Sequence, residues 1–186
     1  MLRDQQNTLR GVILTGLFAA IIYIGIWMLR IPIPAMVGRP FIHFGNTLTV
    51  TAILFLGRRN GMLAGIIGLG GFDILNGYLA VSWLTMLEVV VVALIISGLF
   101  KAFSYDDSKK NIAILAIAAG ITKIVTSYFA SIIEALMVGT GFKVAAVAAF
   151  FSLPATVINA ISTAICAPIL YFVVKRIYTL VQQRQT

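Results

Sequence analysis

The chain has 186 residues, of which 60% are hydrophobic and only 11% charged, and it carries a net charge of +8. A soluble domain carries about 25% charged residues, so a water-exposed surface is excluded over most of this length. Lipid is the solvent that fits, because each crossing helix needs about 20 mostly apolar residues to satisfy its own backbone. The apolar runs predict one all-α membrane domain over 1–186 with six helices, at about 11–29, 41–56, 62–78, 81–100, 112–138 and 155–174. The first ends at Arg30 and the Ile31-Pro32-Ile33-Pro34 stretch, where proline forces extended backbone. The second is short and stops at the basic turn Gly57-Arg58-Arg59-Asn60-Gly61. The third is glycine-rich and ends near Asn76-Gly77. A polar connector, 101–110, separates the fourth from the fifth, which is too long for an upright crossing and so tilts. Residues 145–151 read as an interfacial piece before Pro154, and the tail after 174 is polar.

Six crossings put both termini on one side. That side holds ten cations: Arg3, Arg10, Arg58, Arg59, Lys101, Lys109, Lys110, Lys175, Arg176 and Arg184. The other side holds Arg30, Arg39 and Lys143. Cytoplasmic loops are enriched in Lys and Arg, so the ten-to-three asymmetry predicts cytoplasmic termini. The positive charge is accounted for by orientation, and no nucleic-acid partner is expected. Cys166 stands alone, so no intramolecular disulfide and no cysteine metal site can form. No phosphate-cradling glycine loop, metalloprotease motif or Ser–His pair is present, and no cofactor or metal is expected. His43, the single histidine, reads as a hydrogen-bonding residue at a helix start rather than as a base.

Charges inside spanning segments are costly unless paired or hydrated, which makes each a candidate for function. At 1.5 Å of rise per residue, Asp73, Asn76, Glu88, Glu134 and Asn159 fall in the outer half of the bilayer, with Lys123 near its middle. Lys123, Ser127, Ser131 and Glu134 form one helical stripe, flanked by Tyr128. Trp83 reads as a lining aromatic of the same layer. The expected substrate-binding set is therefore Asp73, Asn76, Trp83, Glu88, Lys123, Ser127, Tyr128, Glu134 and Asn159; ion pairing between helices and interfacial anchoring are the structural alternatives. On the first helix, Gly11, Thr15 and Ala19 make one small-residue stripe and Gly16 with Ala20 another. Such stripes let helices approach closely, within the bundle or against another membrane subunit.

Ile42-His43-Phe44-Gly45-Asn46, then Leu56-Gly57-Arg58-Arg59-Asn60-Gly61, then Gly65-Ile66-Ile67-Gly68 with Asp73, resemble the substrate-binding S components of energy-coupling factor (ECF) transporters. The resemblance is to the branch for hydroxymethylpyrimidine, pyridoxine or riboflavin. It implies high-affinity capture of a vitamin or precursor from outside, docking to a membrane coupling protein, and two cytoplasmic ATPases that drive import. The family's docking motif on the first helix would fall on Thr15 and Ala19 or on Gly16 and Ala20. Its first-loop gate would be 30–40, with Arg39. Three acids against one base favour a flat, donor-rich or weakly basic ligand such as an aminopyrimidine or pyridoxine. Pantothenate and riboflavin are the alternatives within this role; a membrane enzyme or an assembly factor are the alternatives outside it.

Overall fold

The computed structural model describes residues 2–183, and side chains from residue 9 onward. The side chain of Arg3 and all of Arg184 therefore lie outside the described residues. The elements run α1 (Leu2–Leu29), β1 (Ile31–Pro32), β2 (Phe41–Ile42), α2 (Gly45–Gly65), a π-helical turn (Ile66–Gly70), α3 (Gly71–Leu75), a 3₁₀ turn (Leu79–Val81), α4 (Ser82–Ala102), α5 (Lys109–Met137), α6 (Phe142–Phe151) and α7 (Pro154–Gln183). Five stretches are long and apolar enough to cross a membrane: 9–29, 45–75, 79–102, 109–137 and 154–183. Large apolar side chains such as Leu17, Ile24, Ile121, Ile161 and Ile169 point outward, as a lipid-facing surface requires.

The 45–75 stretch is not a straight rod. Gly57 breaks it at φ 81°, ψ 175°, a conformation essentially reserved for glycine. Beyond the break the chain doubles back. A Cβ added at Gly61 would lie 2.3 Å from Cα of Ile53, and one at Gly65 would lie 2.5 Å from Cγ2 of Thr49. In a continuous helix, positions 49 and 65 would be about 24 Å apart. Two antiparallel arms thus meet at Gly57, and counting them separately gives six apolar helices. The expected wide turn over 57–61 is corrected to a single residue, since Arg58 to Gly61 are already helical.

Other boundaries shift for local reasons. The second helix starts at Gly45 rather than 41, because 41–42 pairs antiparallel with 31–32. The first arm, 45–56, is then only about 18 Å long. The third helix ends at Leu75 rather than 78. The fifth begins at Lys109, with Ser108 Oγ accepting from the Asn111 N–H at 3.4 Å, a side-chain cap. The seventh continues helically to Gln183 through the polar tail. Residues 142–151 form a ten-residue helix, too short to span.

The two ends of the bundle differ. At one end the guanidinium of Arg10 lies 4.7 Å from the ring centre of Tyr178, Tyr178 packs on Phe55, and Lys175 pairs with Asp107. This end gathers the hairpin tip and the start of α1 with the ends of α4 and α7. The main core lies just above it, around Ile96, Ile112, Leu115 and Ala116. The opposite end is formed by loop 30–44, the turn after α3 and the α5–α6–α7 junctions.

Candidate functional site

Charged groups in an apolar bundle must find partners or water. Here they converge on one cavity of about 180 Å³ at the loop end of the bundle. Its floor is an ion pair: Lys123 Nζ on α5 binds Glu88 Oε2 on α4. Ser127 Oγ, one turn along α5, donates to Glu88 Oε1 at 2.7 Å. Both carboxylate oxygens are thus engaged, and the helices are locked at that depth. Asp73, Thr85, Ser131, Glu134 and Thr156 line the walls. Loop residues 37–41 and His43 form the lid side, with Arg39 among the lining residues.

The loop is tethered from three positions. Asn159 on α7 accepts from the His43 N–H through Oδ1 at 2.9 Å and donates from Nδ2 to the Phe41 carbonyl at 3.0 Å. Val37 N–H donates to Ser152 Oγ at 2.9 Å. Gly38 sits against Glu134 so closely that a Cβ there would be 2.9 Å from a carboxylate oxygen, and its φ of 67° favours glycine. His43 Nδ1 accepts from the Gly45 N–H at 3.0 Å, so that nitrogen carries a lone pair and the ring fixes the start of α2.

Aromatic rings supply the flat wall. Phe41, Phe72 and Tyr78 cluster with centroids 5.8–6.4 Å apart, and His43 lies 5.0 Å from Phe41. All four line the cavity. These residues were not among the expected set. Their one signal in the sequence is position: they flank the proline-rich loop and the Asn76-Gly77 turn, where chain reversals gather at one depth.

Of the expected residues, Asp73, Glu88, Lys123, Ser127, Glu134, Asn159 and Arg39 line the cavity. Three do not, and their reading as lining residues is corrected. Trp83 is 48% exposed on the outer surface of α4. Tyr128 packs beside Ile132 and Ala145 at the α5–α6 contact. Asn76, just past the end of α3, donates from Nδ2 to the Phe72 carbonyl at 2.9 Å. Asn159, though lining, spends its amide on the loop backbone and is a positioning residue. The α1 stripes also separate. Thr15 and Ala19 are buried, and Gly68 packs against the Ala19 carbonyl and Ile22. Gly11 packs near Asn60. Those three serve the bundle, so their docking role is withdrawn; Gly16 and Ala20 remain on the exposed face.

Neither the curated proteins nor the solved structures hold a match to this chain. A family model does match: that described as the ECF-type riboflavin transporter, S component, over residues 6–176. With a multi-pass helical bundle and nearly the whole length matched, the chain belongs to this family of ECF transporter S components.

Proposed function

We propose that this S component captures a small, flat, donor-rich vitamin at the loop end of the bundle, which faces outward, and delivers it through a membrane coupling protein and two cytoplasmic ATPases. The charge inventory of the cavity carries the reading. Its lining holds three acids, Asp73, Glu88 and Glu134, and two bases, Arg39 and Lys123. Removing the Glu88–Lys123 pair leaves two acids against one base. Carboxylates in such a site call for donors from the ligand, and the Phe41–Phe72–Tyr78 wall offers a stacking face. Hydroxymethylpyrimidine and pyridoxine lead, since a cavity of about 180 Å³ suits one ring with short substituents. Riboflavin, named in the family's description, shares the flat face and the donors and is the second reading. Pantothenate loses ground because Lys123, its best counter-charge, already serves Glu88.

Calorimetry on the purified chain with hydroxymethylpyrimidine, pyridoxine, riboflavin and pantothenate tests this. Submicromolar binding of one of the planar compounds, with none of pantothenate, is expected. Tight binding of pantothenate alone would overturn the charge argument.

A further inference from the structure

A second cavity, of about 540 Å³, opens at the opposite end of the bundle, between the hairpin tip of α2 and the last turns of α4. Arg58, Arg59 and Lys101 line it, and no acid does. Among the described residues, none of these three cations makes an ion pair or a side-chain hydrogen bond. The nearby acids are committed elsewhere: Asp106 to Ser108 and Asn111, and Asp107 to Lys175 and Tyr171. Orientation in a membrane requires only that cations lie on this side. It does not require that three of them ring one hollow.

The rest of the lining is mostly apolar, with Ser97 and the Tyr105 phenol the exceptions. Phe100 and Leu94 belong to α4, and Leu94 is 49% exposed on the surface that meets lipid. Tyr105 also lines it, its ring 5.5 Å from that of Phe100. Ser104 and Tyr105 hold left-handed backbone, at φ 54° and 57°, in the turn that caps α4, where their N–H groups donate to the Lys101 and Phe100 carbonyls.

From the basic ring, the apolar wall running onto the lipid face, and a volume several times that of inorganic phosphate, we infer that this cavity binds the phosphate head of an anionic phospholipid, with an acyl chain lying along α4 beside Leu94. Basic pockets between helices on the cation-rich side of a membrane protein suit such heads. The head satisfies Arg58, Arg59 and Lys101, and the chain covers apolar surface that nothing else in the fold covers. The inference is independent of which vitamin the first cavity takes.

Native mass spectrometry of the chain released from nanodiscs of equal phosphatidylglycerol and phosphatidylcholine tests it. Retention of phosphatidylglycerol at least about tenfold over phosphatidylcholine is expected. The variant R58Q/R59Q/K101Q should lose that preference. Gly98→Leu should lose it with every charge intact, because a Cβ at Gly98 meets open space and the added side chain fills the cavity. Circular dichroism and gel filtration confirm that both variants fold; if the triple variant does not, Gly98→Leu carries the test. Equal retention of the two lipids by the wild-type chain overturns the inference. So does preference surviving in the folded variants. A thermal-shift titration separates the sources: stabilisation by phosphatidylglycerol micelles but not by millimolar inorganic phosphate supports the lipid, and equal stabilisation by phosphate overturns it.

Discussion

Glu88 and Lys123 show how a single pair organises the site. Their side chains are 11% and 18% exposed, so each depends on the other for charge compensation. Lys123→Met strands the Glu88 carboxylate and should cost ~3–5 kcal/mol of stability, seen as a lower thermal midpoint in detergent. Glu88→Gln combined with Lys123→Met removes both charges and should recover much of that loss; a double variant no more stable than the single one would show that the pair does not set the stability. The intramembrane charges were legible in the sequence because lipid penalises them wherever they point. The aromatic wall was not. Phe41, Phe72 and Tyr78 are as much at home against lipid as against a ligand, so only tertiary packing distinguishes them from Trp83, which faces outward. The α1 stripes failed for a related reason. Lipid and bundle interior are equally apolar, so spacing identified two close-packing faces without saying which one turned inward.

At the scale of elements, the α2 hairpin depends on Gly57, and its arms can touch because Gly61 and Gly65 present no side chains. Gly57→Ala places a Cβ on backbone that disfavours it and should cost ~1–3 kcal/mol, measured as a fall in thermal midpoint. Gly71→Ala, at a helical position with open space, is the control and should leave the midpoint unchanged or raised. The α4–α5 connector carries a pH-dependent tie to α7. Hydrogen bonds from Lys175, with Tyr171 assisting, hold the Asp107 carboxyl below its ordinary pKa of 3.8. A group whose folded value is depressed contributes stability above its unfolded pKa and loses it as pH falls through the folded value. The thermal midpoint should therefore drop below about pH 4 in the wild type and less steeply in Asp107→Asn. Identical acid profiles would show that the tie does not report on folding. The effect is small, because solvent reaches both partners. The break at 57 was readable from its basic, glycine-flanked turn. The loop strands 31–32 and 41–42 were not, since two-residue pairing leaves no periodic pattern.

For the whole molecule, we propose that the exposed small-residue face of α1, Gly16 and Ala20, is the part that meets other subunits. Gly16→Trp or Ala20→Trp should abolish co-purification with the membrane coupling protein and its ATPases while leaving vitamin binding intact. Retained assembly with both variants would move the docking face elsewhere. Helix number and the cation asymmetry were visible from the apolar runs and the placement of Lys and Arg, because the bilayer imposes length and charge rules that no soluble fold obeys.

The shortness of the first hairpin arm has an electrical meaning. An arm of about 18 Å leaves about 12 Å of a roughly 30 Å hydrocarbon layer to the loop and the hollow beneath it. A solute resting near the start of α2 has then travelled about 40% of the way through the membrane. With the hollow facing outward and the cell interior negative, an anion arriving there works against the transmembrane voltage at about 0.9 kcal/mol per 100 mV, and a cation is drawn in by as much. A neutral ring feels neither, so its capture would be the same in energised and de-energised cells.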